Sequence, residues 1–337
     1  MDEFAKLAAA ERKTYFDETA SRRNSTSTAI EKDFWVCWCL KVLFDLRDVP
    51  ELRFKGGTSL SKVFGFIRRF SEDIDISLNH AALGFAGDRD LANPALSGTK
   101  RRQLDEELRE AIEKTVRENI LPKIQAACSA KLGTEAWSIA ASDEANEEMT
   151  LLFNYPVAVE YAAYLRPQIK IEFGRGDQQP SNRHRIKPYV AEEFPKVFVA
   201  PEAEIAVLDS ERTFWEKVTL LHAENHRPDP GKLKPRMSRH WSDVAAMSIG
   251  DSFTDQELSL DLLRQVIEFK KTYFASGWAH YETAVPGTLR IVPNQALEKI
   301  LRHDYDQMKE MFWGAPVSFD EVLAQLNALE HRINSLK

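Results

Sequence analysis

Two aspartates, Asp73 and Asp75, stand in a segment, Asp73–Leu78, in which polar and apolar residues alternate. Alternation with a period of two is typical of a strand with one buried face, so both carboxylates should lie on the opposite face. Mg²⁺ prefers oxygen ligands and usually binds through one or two carboxylates together with the phosphate oxygens of a substrate. The segment therefore predicts a carboxylate pair that holds Mg²⁺ against a nucleoside triphosphate.

A glycine turn precedes the aspartates and supplies the second part of such a site. Two glycines follow a short predicted strand at Leu52–Lys55, and Thr58 and Ser59 are residue types that begin helices. Glycine lets a phosphate approach the main chain closely, and the unpaired N–H groups at a helix N-terminus attract anions. The predicted nucleotide-binding residues are Gly56, Gly57, Thr58, Ser59 and Ser71.

The same residues permit a purely structural interpretation. A glycine pair can form a tight turn without a ligand, and charged residues on an edge strand protect the strand against aggregation. A single DxD pattern is usually of that kind. Here the glycine turn, the helix and the DxD strand follow one another within residues 53–78, and this order favours a nucleotide-binding site.

This stretch resembles a known protein family. The segments FKGGTSLSK and RFSEDIDISL resemble motif I of the AbiEii/AbiGii-type nucleotidyltransferase toxins, relatives of the MenT toxins in the DNA polymerase β-like nucleotidyltransferase superfamily. The segments IEKDFWVCWCLKVLF, QIKIEF, ERTFWEK and RHWSDVAAM match as well, so the resemblance extends from residue 30 to residue 245. The superfamily usually has Gly-Ser before its DxD pattern, whereas Gly57-Thr58 stands there in this chain.

The resemblance implies three further site residues. It places a third acid on a strand beside the aspartate strand, and Glu172 in QIKIEF is the matching position, with Glu160 as a weaker rival. It also implies that Lys217 contacts the phosphates of the nucleotide and that Asp243 brings another acid to the catalytic cleft. Taken without the resemblance, Glu172 could be a strand residue paired with Lys170, and Lys217 could be a solvated lysine on a helix. The predicted metal ligands are Asp73, Asp75 and Glu172, and the predicted catalytic residues are Asp73, Asp75, Glu172, Lys217 and Asp243.

The composition is that of a soluble globular protein, with 43% hydrophobic and 29% charged residues among 337. A net charge of −7 argues against a protein that coats nucleic acid with its whole surface. Any contact with RNA must therefore use local basic runs, which occur at residues 166–187 and 226–240. The first of these runs could be a patch for RNA phosphates, although a solvated loop is the commoner explanation of such runs.

No targeting or membrane segment is recognisable in the sequence. The charged N-terminal residues lack the pattern of a signal peptide, and no segment is apolar over the length that a membrane span needs. We therefore expect a cytoplasmic protein that does not contact a membrane. Cys37, Cys39 and Cys128 show no metal-ligand spacing and are expected to be reduced structural residues.

Hydrophobic periodicity predicts the elements around the motif. We predict helices over residues 2–22, 29–46, 100–127, 254–270, 294–311 and 318–335, with one more over ERTFWEKVTLLHAE and another that begins at Trp241. Strands are expected at residues 136–142, 148–154, 156–161, 167–173 and 204–207, and a long surface loop at 79–100. The charges Glu31, Lys32 and Asp33 are either solvated residues of a helix end or neighbours of the site. A composition shift at residues 194–201 predicts a core domain at 1–200 and a mostly helical domain at 201–337.

These observations predict an α+β fold, with a polymerase β-like nucleotidyltransferase core containing a mixed sheet and a mostly helical C-terminal domain. The expected reaction is the Mg²⁺-dependent transfer of NMP from an NTP to an acceptor hydroxyl. By resemblance the acceptor is RNA, first of all the tRNA 3′ end, and the protein is a toxin of a bacterial toxin–antitoxin or phage-defence system with a possible antitoxin partner. We expect the two basic runs to flank one cleft and hold the acceptor.

Two other functions are compatible with the same motifs. A small-molecule nucleotidyltransferase of the antibiotic-modifying kind would share the core, but would need an acidic pocket for a cationic acceptor in place of the basic runs. A non-catalytic regulator that binds NTP or RNA would be expected to lack one of the carboxylates, and all three are present here.

Overall fold

The computed structural model describes residues 1–71, 73–134, 136–143, 149–161, 166–175, 181–249, 258–308, 311–314 and 316–336. The chain forms two compact units. The first, here called the sheet unit, comprises Met1–Val63, Phe70–Asp90 and Ser97–Leu208. The second, here called the helical unit, comprises Phe64–Arg69, Leu91–Leu96 and Asp209–Lys337.

A mixed seven-stranded sheet is the centre of the sheet unit. Its strands are β1 (Leu52–Lys55), β2 (Asp73–Leu78), β3 (Ser138–Ala141), β4 (Met149–Asn154), β5 (Gln168–Gly174), β6 (Ser181–Ile186) and β7 (Ala203–Leu208). They lie in the order β3-β4-β5-β2-β1-β7-β6, and β2–β5 and β1–β7 are the parallel pairs. The aspartate strand β2 therefore lies in the middle of the sheet, where both of its edges are paired.

The alternation predicted for β2 is confirmed. Ile74, Ile76 and Leu78 are buried, whereas Asp73 and Asp75 on the opposite face are half-buried. Since β2 is a central strand, its charges do not protect an exposed edge, and the structural interpretation of the DxD pattern as an edge strand is wrong.

Seven helices accompany the sheet in the described part of this unit. They are α1 (Asp2–Ala5), α2 (Ala9–Arg23), α3 (Ser27–Phe44), α4 (Gly56–Lys62), α5 (Gly98–Thr115), α6 (Leu121–Leu132) and α7 (Tyr189–Glu193). Helix α3 forms the core as its apolar sequence predicts, with Trp38 stacked on Phe153 of β4 at 5.6 Å between ring centroids. Cys37, Cys39 and Cys128 are buried free thiols, as expected.

Several predicted boundaries differ from the structure. The predicted helix at residues 2–22 is divided into α1 and α2, and residues 156–161 form no strand although their apolar residues suggested one. The first basic run contains β6 in place of a loop, because strand pairing with β7 overrides a sequence rich in arginine. The predicted loop at 79–100 contains two short 3₁₀ turns, at Ala81–Leu83 and Gly87–Arg89, before α5 begins.

Five longer helices form the described core of the helical unit: α8 (Ser210–Asn225), α9 (Ser238–Met247), α10 (Leu260–Tyr273), α11 (Gln295–Gln307) and α12 (Phe319–Asn334). Residues 254–257, with which a predicted helix began, lie outside the described residues. Helix α9 begins three residues before the predicted start at Trp241, whose buried indole N–H donates to the Ile291 carbonyl at 3.0 Å. None of the described helices is long and apolar enough to cross a membrane.

Candidate active site

The glycine turn and the aspartate strand fit together closely. Gly56 has a positive φ of 81°, and a Cβ atom at this position would lie 1.9 Å from Oδ2 of Asp75. A residue with a side chain would therefore displace the carboxylate, in addition to the cost of a left-handed backbone. The antiparallel pairing of β1 with β2 sets Asp75 opposite Lys55, the residue directly before the turn. The carboxylate of Asp75 thus leaves room only for glycine at position 56.

Thr58 and Ser59 hold this turn together through their hydroxyl groups. Thr58 Oγ1 donates to the main-chain carbonyl of Asp73 at 2.5 Å, and Ser59 Oγ donates to the carbonyl of Gly56 at 2.8 Å. Both residues are buried. They lie in the first turn of α4, which begins at Gly56 itself, and neither forms a side-chain cap at its N-terminus. Thr58 therefore ties α4 directly to the aspartate strand.

Helix α4 is shorter than its apolar sequence predicts. Apolar residues at roughly helical spacing, Leu60, Val63, Phe64 and Phe66-Ile67, predict a helix that continues to Ile67, but α4 ends at Lys62. The chain turns soon afterwards at Gly65, which has a positive φ of 68° that a helix does not accommodate. Ser71, the last predicted nucleotide-binding residue, is half-buried and lies two residues before β2.

The register of the sheet brings three predicted carboxylates onto one face. In the parallel pair β2–β5, Asp75 lies opposite Glu172, and Asp73 lies opposite Lys170. Because partners on neighbouring strands point to the same face, these four side chains form one group, here called the acidic face. Glu172 also forms an ion pair with Lys170, with 2.5 Å between Oε1 and Nζ. Its rival Glu160 is exposed and lies in no strand.

These carboxylates suit Mg²⁺ only together with a substrate. Among the described residues, no three His, Cys, Asp or Glu side chains are grouped closely enough to hold a metal ion by themselves. Mg²⁺ usually keeps few protein ligands and completes its octahedron with phosphate and water oxygens. Two aspartates on a paired central strand, one of them against a glycine turn, meet that requirement.

The other end of α4 is fixed by a buried charge cluster. Lys62 Nζ lies 2.7 Å from Oδ1 of Asp33 and 3.5 Å from the ring centroid of Tyr189, whose main-chain N–H donates to Asp33 Oδ2 at 2.7 Å. Asp33 belongs with Glu31 and Lys32 to a run of charges in α3 that are all buried. Their interpretation as solvated helix-end charges is therefore wrong.

Lys217 and Asp243 meet in the helical unit. Lys217 Nζ lies 2.9 Å from Asp243 Oδ2, and Arg69 binds the same carboxylate through two hydrogen bonds, from Nε at 2.7 Å and from Nη2 at 2.8 Å. All three side chains are buried, so Lys217 is not a solvated lysine of a helix surface. Lys217 Nζ also lies 3.2 Å from Nδ1 of His240.

Burial and the neighbouring charges shift the pKa values of the groups in this cluster. Burial alone would raise the pKa of the Asp243 carboxyl, but Arg69 and Lys217 outweigh burial and hold this pKa well below its ordinary value. Burial lowers the pKa of Lys217, although Asp243 opposes the shift. Burial and the adjacent Lys217 and Arg239 lower the pKa of His240, so its imidazole is neutral. The Asp243 carboxylate is thus held ionised between two buried basic groups, Arg69 and Lys217.

Arg69 and Lys62 are the participants that sequence reasoning missed. Arg69 lies 174 residues from Asp243 along the chain, and no local pattern indicates such a pair. Lys62 ends the predicted motif segment FKGGTSLSK, but its partner Asp33 precedes β1 and belongs to another helix. The sequence gives only an indirect indication of these partners. Charged residues inside an apolar helix such as α3 need buried partners, but the helix does not reveal which residues these are.

The two basic runs are partly neutralised by acids. In the first run, Arg175 is buried against Asp105. On β6, Arg183 pairs with Glu204 of β7, and Arg185 pairs with Glu202, the residue directly before β7. In the second, Arg227 pairs with Glu224, whereas Lys232 and Lys234 are exposed.

Comparisons with known proteins show the family of the chain and support its fold. The sequence matches the family described as "Nucleotidyl transferase AbiEii toxin, Type IV TA system" over residues 40–325, a range that contains every predicted site residue. The fold is similar to that of MenT4, a nucleotidyltransferase toxin from Mycobacterium tuberculosis H37Rv, with a TM-score of 0.53 and 16% sequence identity. That similarity covers 98% of this chain and 91% of that chain, and it confirms the predicted α+β fold. No curated protein matches the sequence.

Proposed function

Because the chain belongs to the AbiEii family of nucleotidyltransferase toxins of type IV toxin–antitoxin systems, we propose that it transfers NMP from an NTP to a hydroxyl group of RNA in a Mg²⁺-dependent reaction. The tRNA 3′ end is the first acceptor to test. An antitoxin is the expected protein partner, and the cytoplasm, which contains both NTP and tRNA, is the expected location. The observation that carries this proposal is the acidic face, with Asp75 held against Gly56 and in register with Glu172.

The chemistry follows from the residues of the sheet unit. The acceptor hydroxyl gives up its proton to water as its oxygen attacks the α-phosphorus of the NTP. A new phosphate ester bond forms, the bond between the α-phosphorus and the bridging oxygen breaks, and pyrophosphate leaves. Asp73, Asp75 and Glu172 would hold Mg²⁺, which supplies neutralisation of the triphosphate and a lower pKa of the attacking hydroxyl. The turn at Gly56-Gly57 lets the phosphates approach the main chain, and Thr58 keeps that turn attached to the aspartate strand through its bond to Asp73.

The family resemblance assigns one further residue to the phosphates of the nucleotide, Lys217. Lys217 would act as a point charge on the triphosphate, a role that lysine commonly takes. Asp243 and Arg69 are positioning residues in this proposal, because Asp243 contacts the lysine, Arg69 binds Asp243, and both are buried.

RNA is favoured as acceptor by the family and by the exposed lysines of the second basic run. The pairing of Arg183 and Arg185 with acids makes the first run a weaker site for RNA phosphates. A small-molecule acceptor is therefore the alternative that the experiment has to include.

The test measures transfer of α-³²P-labelled nucleotide from each of the common NTPs to total RNA, to purified tRNA and to a panel of aminoglycosides. We expect labelled RNA with the wild type in Mg²⁺, and none with Asp75→Asn or in EDTA. Labelled aminoglycosides without labelled RNA would replace the RNA proposal by the small-molecule one. No transfer to any acceptor, by protein that is folded and binds NTP, would support the non-catalytic regulator.

A further inference from the structure

One cation belongs to the acidic face and has no role in the reaction described above. Lys170 lies opposite Asp73 in the register of β2 and β5, and its Nζ is 2.5 Å from Oε1 of Glu172. It therefore stands among the carboxylates that would receive the metal ion. A second lysine, Lys55, lies opposite Asp75 on the other side of β2.

We propose that Lys170 is an internal counterion of the metal site. Its charge weakens the binding of a divalent ion in the absence of NTP, so that metal binding depends on the NTP. The inference rests on the proposed function, because it concerns the same carboxylates. Asp73, Asp75 and Glu172 are three carboxylates on one face of the sheet, and Lys170 forms an ion pair with one of them.

The charge of the site decides how strongly it attracts a metal ion. A unit positive charge at side-chain distance from a divalent cation repels it, and through a half-exposed surface this repulsion weakens metal binding by roughly tenfold. Lys170 and Glu172 retain 34% and 22% of their side-chain exposure, so the repulsion acts through partial solvent and not at its full interior strength.

An incoming triphosphate changes this balance. It brings several negative charges to the acidic face, and the Lys170 ammonium can then pair with a phosphate oxygen while the metal ion takes over Glu172. The same lysine that opposes the metal ion alone therefore favours the metal ion and NTP together. Since coupling between two ligands is reciprocal, the metal ion must increase NTP affinity by the same factor.

A purely structural role of Lys170 would have different consequences. An ion pair that is partly exposed contributes little to stability, so its loss would leave metal binding unchanged. The two roles are therefore separated by the sign of the effect on metal affinity, because only a counterion produces tighter binding when it is removed.

The experiment uses Mn²⁺ as the probe, with the signal of the unbound ion measured by electron paramagnetic resonance in the absence of nucleotide. Lys170→Met should bind Mn²⁺ roughly tenfold more tightly than the wild type, and Lys170→Arg, which keeps the charge, should not. Lys13→Met is the matched control, because it also removes the lysine of a lysine–carboxylate pair, with Nζ 2.6 Å from Oδ2 of Asp17, on the exposed face of helix α2. Lys170→Gln repeats the test if the methionine variant does not fold.

The second measurement is the affinity for non-hydrolysable α,β-methylene NTP analogues in Mn²⁺ and in EDTA. The ratio of the two affinities should fall by roughly tenfold in Lys170→Met, since by linkage it equals the effect of the analogue on Mn²⁺ binding. Unchanged or weaker Mn²⁺ binding by Lys170→Met would overturn the inference, and so would equal tightening in Lys13→Met. If instead the wild type and Asp75→Asn bind Mn²⁺ alike in the presence of the analogue, the metal site of the proposed function is wrong, and this inference fails with it.

Discussion

Replacement of Arg69 by methionine tests the buried charge cluster of the helical unit. Methionine keeps most of the side-chain volume but removes the two hydrogen bonds, at 2.7 and 2.8 Å, that Arg69 donates to Asp243. Removing one partner of a buried ion pair usually costs about 3–5 kcal/mol. Because Lys217 remains 2.9 Å from the same carboxylate, we expect the lower end, about 3 kcal/mol.

The pH dependence of this loss has a definite sign. The folded-state pKa of Asp243 lies below its ordinary value of 3.8, so its interaction stabilises the protein above that pH and is lost as the pH falls through the lower folded-state value. The destabilisation by Arg69→Met should therefore be full at pH 7 and should shrink below about pH 4, where the unfolded chain takes up the proton. Arg69→Lys keeps the charge without the paired hydrogen bonds, so its stability should lie between those of the wild type and Arg69→Met.

Hydrogen exchange measured by mass spectrometry is the suitable assay, because a chain of two units need not unfold in one step. Peptides from α8 and α9 should exchange faster in Arg69→Met at pH 7, whereas peptides from α3, in the sheet unit, serve as the internal control. A loss below about 1 kcal/mol would fall to the level of an exposed ion pair and would refute the reasoning from burial. An equal loss at pH 3 and pH 7 would show that packing, and not the charge of Asp243, is responsible.

Three further substitutions address the proposed reaction. Asp75→Asn should abolish transfer. Its melting temperature in thermal unfolding should be no lower than that of the wild type, because a like charge beside Glu172 has been removed. A destabilised variant that keeps its specific activity would exclude the metal role. Lys217→Met should weaken NTP binding, measured by calorimetry, to a similar extent for every base, because a charge on the triphosphate carries no base information; loss for a single NTP would place the lysine near the base. Gly56→Ala should lower the free energy of unfolding by about 1–2 kcal/mol, because alanine is strained in the left-handed backbone conformation. It should also lower transfer strongly, because the new Cβ meets the carboxylate of Asp75. Wild-type activity in this variant would show that the carboxylate can move without consequence.

The part of the site that could be predicted from sequence is the part encoded by local patterns. The period of two in Asp73–Leu78 determines which side chains face the core, and a strand with three buried apolar residues has only one way to orient its aspartates. Glu172 was found by resemblance, and the parallel register of β2 and β5 places it opposite Asp75. The ion pair between Glu172 and Lys170, which the sequence allows as an alternative role for this glutamate, is also present.

The buried ion pairs could not be predicted, because each partner is separated from the other by a long stretch of chain. Arg69 and Lys62 look like ordinary basic residues near a motif, and only the folded chain brings them to Asp243 and Asp33. The same reason explains β6, whose arginine-rich sequence has low strand propensity and is held in the sheet by its pairing with β7.

Helix α4 shows why those distant contacts matter for the site. A helix of seven residues is too short to be stable by its own hydrogen bonds, so its position depends on what holds its ends. At the first turn, Thr58 binds the carbonyl of Asp73, and Gly56 packs against Asp75. At the last residue, Lys62 is held by Asp33 and by the ring of Tyr189. The glycine turn therefore keeps its distance from the aspartates because both ends of α4 are attached to the sheet unit, one through the motif itself and the other through a buried ion pair that the motif does not reveal.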